Sequence, residues 1–361
     1  MELMFSRAMR VVFFLLAAVA VHHRAAAAQE IARKDFSVES APGVSLFVRE
    51  VKSGAPHADG KTPILLVHGA RVPGLASFDL PVPNGSLAAD LARSGHSVYI
   101  MDARGYGRST RPAAMSEPPD ANPPLVRSPE VVQDIAAVVD WIRARRSADR
   151  IALLGWATGG NWCGYYATLH PDRVSELILL NTLYGGSDRH AYIGQGSSLE
   201  DPKHPGRFNY AELGAYRLST AKSLFGAWDR SIPLEDKSKW RDPEVAAAYA
   251  KAALASDPTS GNRTPPSFRA PSGAMEDSFQ QAIGHQLWNA SFIRSRVLII
   301  ASERDFWSRP ADRQALERDL VHAKEVRTVV IPGATHHVFL DRPEHGRERF
   351  IQEVLSFLDG K

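Results

Sequence analysis

The sequence predicts an α/β protein in which helices cover both faces of a mostly parallel, doubly wound sheet. Six short apolar runs are bounded by turn residues, and they lie at 63–67, 98–101, 151–154, 177–180, 297–300 and 328–331. Continuous apolar runs of this length are typical of strands buried on both faces. Helical patterns fall between them, and this alternation indicates a parallel sheet that binds ligands at the carboxyl ends of its strands.

The remaining elements of the predicted core follow from local patterns. Residues 35–52 alternate apolar and polar side chains around the turn Ala41-Pro42-Gly43, which predicts a hairpin at the sheet edge. One predicted helix begins with Ser128 as its candidate N-cap and Pro129 at its first position. The helical patterns lie at residues 86–94, 129–146, 161–170, 310–322 and 343–358.

Residues 183–290 interrupt the alternation of strands and helices. This stretch is rich in Gly, Pro, Ser and aromatic residues, and it has helical patches such as 243–254 but no convincing buried strand. A structureless loop of that length is implausible in a compact domain. We therefore interpret 183–290 as an inserted, mainly helical lid, and 29–182 with 291–361 as the core.

The first 28 residues have the layout of a secretory signal peptide. Arg7 and Arg10 precede an apolar run at 11–21, and four alanines end at Ala28. The run is shorter than the roughly 20 residues that a membrane span needs, which disfavours an anchor and stable membrane insertion. We expect cleavage near Ala28 and a secreted or periplasmic protein.

Composition excludes several classes of partner. Residues 1–28 contain three Arg and one Glu, so the rest of the chain has 40 Lys and Arg against 39 Asp and Glu, a net charge near +1. This balance gives no support for nucleic-acid binding. Cys163 is the sole cysteine, so the chain forms no internal disulfide. No pattern indicates a metal or a cofactor.

One strand runs into Gly155-Trp156-Ala157-Thr158-Gly159, which has the G-x-S-x-G pattern of a nucleophile elbow with alanine at the serine position. Glycines are needed there because the turn is too tight for side chains, and the residue between them is expected to have a strained backbone. A dinucleotide-binding loop is the alternative, but the G-x-G-x-x-G pattern is absent.

Other motifs occur in a consistent order around this elbow. His68-Gly69 ends the first buried run, and 102–109 follows the second. Asp305 follows the run at 297–300, and His336 follows the last run in Gly333-Ala334-Thr335-His336. Together these motifs resemble the α/β-hydrolase superfamily across the mature chain outside the lid.

The resemblance implies roles for several residues. Asp305 and His336 would be the acid and base of a catalytic triad. The backbone amides of Ala70 and Thr158 would form the oxyanion hole. His337 is an alternative base, although the G-x-x-H spacing favours His336. The turn containing Asp102 and Arg104 is interpreted as structural.

Alanine at position 157 excludes a covalent acyl-enzyme formed at that side chain. Thr158 could replace the serine only if the elbow motif were shifted by one residue along the sequence. That shift would place Trp156 where the elbow needs a small residue. Cys163 lies well into the following helix and is interpreted as a packed thiol. Two explanations remain: a natural replacement, which we favour, or an engineered serine-to-alanine change at Ala157.

Three functions are compatible with these residues. The first is hydrolysis of an ester, lactone or similar acyl bond, with the Asp305–His336 pair acting on water. The second is a cofactor-free lyase or oxygenase that uses the same pair to abstract a proton. The third is a non-catalytic protein that binds a small ligand under the lid.

Aromatic residues of the lid indicate a small, apolar or aromatic substrate. Arg71 and Trp156, beside the predicted oxyanion hole and elbow, are further candidates for substrate binding, as is the polar segment Met275-Glu276-Asp277. The candidate walls contributed by the lid are Tyr184, Trp228, Phe268, Phe279 and Trp288.

Overall fold

The computed structural model describes residues 30–54, 61–185 and 190–361. The predicted signal peptide at 1–28 lies outside these ranges. Within them, no helix is long and apolar enough to cross a bilayer.

The main sheet consists of eight strands: β1 (Ile31–Ala41), β2 (Val44–Ser53), β3 (Ile64–Val67), β4 (Val98–Met101), β5 (Ile151–Trp156), β6 (Val174–Leu180), β9 (Arg296–Arg304) and β10 (Glu325–Thr335). Their order in the sheet is β1-β2-β4-β3-β5-β6-β9-β10. The hairpin β1–β2 is antiparallel and β2 pairs antiparallel with β4, whereas every other neighbouring pair is parallel. The edge hairpin and the parallel sheet are therefore confirmed.

Two apolar cores lie on opposite faces of the sheet because successive side chains of a strand point to opposite faces. Leu65 and Val67 pack with the helices of one face, whereas Ile64 and Leu66 pack with those of the other. The first face is covered by α3 (Ser128–Arg146), α4 (Thr158–Leu169) and α8 (Pro310–Asp319), and the second by α1 (Gly74–Phe78), α2 (Leu87–Arg93) and α9 (Arg347–Leu358).

The inserted segment contains an element that the sequence did not predict. Strands β7 (Tyr216–Thr220) and β8 (Ser267–Pro271) form a separate antiparallel pair, and β8 is largely buried. The expectation that this segment lacks a buried strand is therefore wrong. Ser-Phe-Arg-Ala-Pro shows neither an apolar run nor a clear alternation, so pairing with β7 decides its conformation. The helices here are α5 (Gly226–Ser231), α6 (Pro243–Ala255) and α7 (Gly273–Ala282).

The strand order places a crevice beside the central strands. The chain leaves β3 toward β4 on one side, whereas β5 pairs on the other side of β3. Such a switch leaves a crevice at the carboxyl ends of the strands. The loops that follow β3, β5, β9 and β10 all begin at this edge.

Candidate active site

The elbow after β5 has the strained backbone that its sequence predicts. Ala157 has φ 53° and ψ −117°, and its N–H donates to the Leu180 carbonyl at 2.8 Å. A Cβ on Gly159 would lie 2.2 Å from the Val67 carbonyl oxygen, and one on Gly155 would lie 2.4 Å from the Gly159 oxygen. Only glycine fits at these two positions, so the backbone of the elbow is intact around an alanine.

The structure brings Asp305 and His336 together. They follow the neighbouring parallel strands β9 and β10, and Oδ1 of Asp305 lies 2.6 Å from Nδ1 of His336. Because a carboxylate accepts, Nδ1 carries the proton and Nε2 is left for a substrate or water. The Asp305 carboxylate also accepts from the amides of Trp307 and Ser308 at 2.9 and 2.8 Å, and from the Ser308 hydroxyl.

Two side chains hold the backbone of His336. Its carbonyl accepts from Nε1 of Trp156 at 3.0 Å and from Nδ2 of Asn181 at 3.2 Å. The imidazole packs between Trp156 and Phe306, with ring centroids 5.1 and 4.6 Å away. These contacts fix the position of the His336 imidazole, which is the predicted base.

The residues predicted for the oxyanion hole border the same cavity as His336. Ala70 and Thr158 both line it, and within the described part of the chain neither amide donates a hydrogen bond. The Ala70 carbonyl accepts from Nη2 of Arg217 at 2.9 Å and from the Tyr106 hydroxyl at 3.2 Å. These two bonds hold the loop after β3 in place.

His68, at the start of that loop, has a structural role. Its Nε2 accepts from the Ala103 amide at 3.1 Å, so Nδ1 carries the proton that it donates to the Gly69 carbonyl at 2.7 Å. Burial lowers the pKa of His68, which keeps this buried ring neutral.

The cavity has a volume of about 160 Å³. Its walls are mostly apolar, with the two histidines and two arginines among the polar groups. Arg71 and Trp156 lie where the sequence analysis placed them. The lining residues are Gly69, Ala70, Arg71, Trp156, Ala157, Thr158, Arg217, Leu224, Ala227, Tyr249, Met275, Phe306, Trp307, His336 and His337.

Tyr184 and Trp288, predicted to bind substrate, lie outside this cavity. The Tyr184 hydroxyl donates to Asp319 and accepts from the Ala290 amide, and its ring packs on Trp288 at 4.7 Å. Trp288 in turn covers Gly164 of α4. These two rings instead fill the core on the α4 side of the sheet. Three other lid aromatics that do not line the cavity are Trp228, Phe268 and Phe279.

Glu276 and Asp277 bind the core instead of lining the cavity. Both pair with Arg127, and Asp277 also accepts from the Ser128 amide at the start of α3 at 2.6 Å. Their neighbour Met275 does line the cavity. The two carboxylates therefore anchor α7 of the insertion to the core.

The alternative reactive residues have different surroundings from His336. His337 lines the cavity, but its ring stacks on Trp228 at 4.3 Å and pairs with no carboxylate among the described residues. Burial and neighbouring positive charges hold the pKa of His337 well below its usual value, so it is neutral. Cys163 is fully buried, and burial raises the pKa of its thiol, which disfavours the nucleophilic thiolate.

Several lining residues were missed by the sequence analysis. Leu224, Ala227, Tyr249 and Arg217 come from the insertion, where no local pattern signals which side chains face the core. Phe306 and Trp307 directly follow Asp305, and that adjacency was the available signal. In the ranges that the structure describes, no group of three His, Cys, Asp or Glu side chains could hold a metal ion.

The geometry defines a class of protein: a doubly wound sheet with an elbow after one strand and an acid–base pair after two others. A family model for the alpha/beta hydrolase fold matches residues 62–343. The chain therefore belongs to the α/β-hydrolase family, and it is an enzyme with sequence similarity to a lipase.

Individual relatives are distant. The human (lyso)-N-acylphosphatidylethanolamine lipase is 24% identical over 306 residues, which cover 84% of this chain and 82% of the relative. An esterase structure from Rhodococcus sp. has a TM-score of 0.57 at 17% identity and covers 90% of this chain and 98% of its own. A serine-to-alanine mutant of the meta-cleavage product hydrolase from Pseudomonas fluorescens, complexed with acetates, has a TM-score of 0.55 at 17% identity over 90% and 97%.

Proposed function

We propose that this enzyme hydrolyses an ester, lactone or similar acyl bond of a small molecule without a covalent intermediate. His336 is the general base that activates water, and Asp305 orients the His336 imidazole and stabilises its protonated form. The amides of Ala70 and Thr158 bind the oxyanion. Ala157 leaves the acyl carbon accessible to water where other family members would present a nucleophile.

One observation carries the proposal: the 2.6 Å bond between Asp305 and Nδ1 of His336, on the wall of the cavity that Ala157 also lines. This bond directs the basic Nε2 lone pair away from the carboxylate. The Asp305 carboxylate stabilises the imidazolium that forms when Nε2 takes a proton. A protein that only binds a ligand has no need for this arrangement.

The proposed step balances without a cofactor. Nε2 of His336 removes a proton from water while the water oxygen bonds to the acyl carbon, and the carbonyl electron pair moves to the oxygen held by the two amides. The tetrahedral intermediate collapses, the bond to the leaving oxygen breaks, and that oxygen takes the proton from Nε2. The products are a carboxylic acid and an alcohol. Serine proteases lacking a triad member retain rates roughly 10³ to 10⁴ above water, so slow turnover is expected.

The cavity supports a compact substrate with an apolar body. Its volume, about 160 Å³, is close to that of an engineered apolar cavity that holds benzene, roughly 150 Å³. Leu224, Ala227 and Tyr249 from the insertion and Phe306 and Trp307 from the core supply apolar walls. We infer that the group in contact with Ala157 is no larger than a small ring or short acyl chain.

The test compares the unaltered chain with His336→Gln on a panel of small esters and lactones. The control is His322→Gln, because His322 is exposed and bonds only a loop carbonyl. We expect hydrolysis by the unaltered chain and the control, and loss of activity in His336→Gln. Intact-protein mass spectrometry during turnover should show no acyl adduct.

Three results would overturn this proposal. Equal rates in the unaltered chain and His336→Gln would remove the base from the mechanism. An acyl adduct on Thr158 would replace water by a covalent nucleophile. Exchange of a substrate C–H proton that depends on His336, without acyl cleavage, would favour the lyase or oxygenase alternative.

We also propose that the enzyme is exported. The proposal rests on the basic residues, apolar run and alanines of residues 1–28. Fractionation of a Gram-negative host, followed by N-terminal sequencing, should find protein cleaved near Ala28 in the periplasm or medium. Uncleaved protein confined to the cytoplasm would contradict export.

A further inference from the structure

Two arginines from different parts of the chain line the cavity. Arg71 directly follows Ala70 in the loop after β3, whereas Arg217 lies on β7 of the insertion. The core and the insertion thus each contribute one arginine to the wall of the cavity that Ala157 also lines.

Each guanidinium is held by neutral groups that use only part of its hydrogen-bonding capacity. Arg71 donates from Nε to the Ser219 hydroxyl at 3.0 Å and from Nη2 to the Ser223 hydroxyl at 2.7 Å. Arg217 donates from Nη2 to the Ala70 carbonyl at 2.9 Å. Its Nε is buried and has no partner among the described residues. Since this Nε is inaccessible, the donors left for a ligand are on Nη1 of each arginine, which has no hydrogen-bond partner among the described residues.

Three other arginines of the structure pair with carboxylates. Arg104 binds Asp134, Arg127 binds Asp277 and Arg269 binds Asp257, each at 2.6 to 2.8 Å. In contrast, no ion pair within the described ranges includes Arg71 or Arg217, whose hydrogen-bond partners are hydroxyls and a carbonyl. Burying a charge without a counterion is costly.

The electrostatics agree with this geometry. Burial lowers the pKa of Arg71. Burial, followed by the charge of Arg71, lowers the pKa of Arg217 to about 10. Arg217 is still cationic at neutral pH, so two positive charges share one apolar cavity. An anionic ligand would relieve both their repulsion and their desolvation.

We propose that Arg71 and Arg217 form a carboxylate-binding subsite, so that the substrate is a small acyl compound that also carries a free carboxylate. This inference rests on the proposed function, since it specifies the substrate of the same site. A carboxylate fits because its planar pair of oxygens matches the guanidinium fork. The compact cavity also suits a small acid better than a long-chain lipid.

The activity test uses two matched substrates: 4-acetoxybenzoate, whose free carboxylate cannot reach its own ester, and methyl 4-acetoxybenzoate, in which a methyl ester masks that carboxylate. We expect kcat/KM for phenyl ester cleavage to favour the acid by about 10- to 100-fold, the range of a charge-assisted hydrogen bond. Arg71→Gln and Arg217→Gln should each remove most of this preference. Arg93→Gln, an exposed arginine paired with Asp90, should retain it.

A binding test separates this inference from the proposed function. His336→Gln protein is titrated calorimetrically with phenylacetate, phenylacetamide and phenyl phosphate. We expect phenylacetate to bind at least tenfold more tightly than the neutral amide, and Arg71→Gln in the same background to abolish the difference. If a glutamine variant fails to fold, Arg71→Lys and Arg217→Lys keep the charge and should retain part of the preference.

The outcomes are distinguishable. Phenylacetate binding without ester hydrolysis by the unaltered chain would overturn the proposed function and leave the carboxylate subsite standing. Hydrolysis of 4-acetoxybenzoate and its methyl ester at equal kcat/KM, or equal affinity for phenylacetate and phenylacetamide, would overturn the subsite. Tighter binding of phenyl phosphate than of phenylacetate would replace a carboxylate subsite by a phosphate subsite.

Discussion

Two parts of the cavity wall differ: the base side, formed by His336 with Asp305 behind it, and the elbow side, formed by Ala157. On the base side every polar contact expected of a working pair is present. On the elbow side the backbone is complete, but the side chain has no oxygen. The geometry of the elbow therefore does not require a nucleophilic side chain, because its glycines and their packing specify it.

The backbone of Ala157 is strained although its methyl side chain cannot act as a nucleophile. A non-glycine residue in a sparsely populated backbone region costs about 1 to 3 kcal/mol and persists only where its surroundings enforce it. Here the Ala157 amide bonds Leu180, and Gly159 packs against the carbonyls of Val67 and His68. The shape of the elbow is therefore maintained by its glycines and by this hydrogen bond, with alanine at its centre.

The largest expected effect comes from restoring an oxygen on the elbow side. Ala157→Ser should raise kcat for a small activated ester on the order of 10³-fold or more, because covalent catalysis becomes available beside a prepared base. Ester kinetics and labelling by a fluorophosphonate probe measure the change. Ala113→Ser on the surface is the control. If Ala157→Ser shows neither a higher rate nor labelling, a side chain at position 157 is not aligned with His336 for catalysis.

A smaller effect is expected from the acid. Asp305→Asn should lower the hydrolysis rate by about 10²- to 10⁴-fold, because the amide no longer fixes the imidazole tautomer or stabilises its charge. The surface pair Asp201–His204, with Oδ2 and Nδ1 2.8 Å apart, provides a matched control in Asp201→Asn. Steady-state kinetics with an ester should separate the variants. Similar rates for both would mean that Asp305 has no part in turnover.

Gly159→Ala tests whether glycines, not the nucleophile, specify the elbow. The new Cβ would lie 2.2 and 2.5 Å from the carbonyl oxygens of Val67 and His68. We expect a loss of about 3 kcal/mol in the free energy of unfolding, measured by urea denaturation. Gly261→Ala has no atom within 4 Å of its added methyl and should change stability little. A loss below about 0.5 kcal/mol in Gly159→Ala, the usual range for surface substitutions, would contradict this view.

The smallest effect concerns the link between the two sides. Trp156 belongs to the elbow, and its Nε1 donates to the His336 carbonyl at 3.0 Å. Trp156→Phe removes this bond and should cost about 1 kcal/mol, with a modest fall in kcat. Thermal unfolding and ester kinetics measure both. Trp288→Phe is the control, because its Nε1 has no partner in the described ranges and its ring lies outside the cavity. An equal fall in kcat in Trp288→Phe would indicate that Trp288 contributes to the active site after all.

Residues tied to strand ends were predictable. Ala157, Asp305 and His336 each follow an apolar run that became a strand of the parallel sheet, and the carboxyl ends of such strands meet at one edge. Tyr184 and Trp288 could not be assigned in the same way. Aromatic composition signals burial, and the sequence does not say which core or cavity a buried ring fills.

The parallel sheet, the strained elbow and the order of elbow, acid and base can be read from the amino-acid sequence, because they depend on local periodicity and on glycines at fixed positions. Which residues of the insertion reach the cavity is known only from the folded structure. Arg217 and Tyr249 meet Arg71 there because β7 and α6 pack over the carboxyl edge of the sheet. Contacts between segments so distant along the chain depend on the packing of the whole fold, which no local pattern encodes.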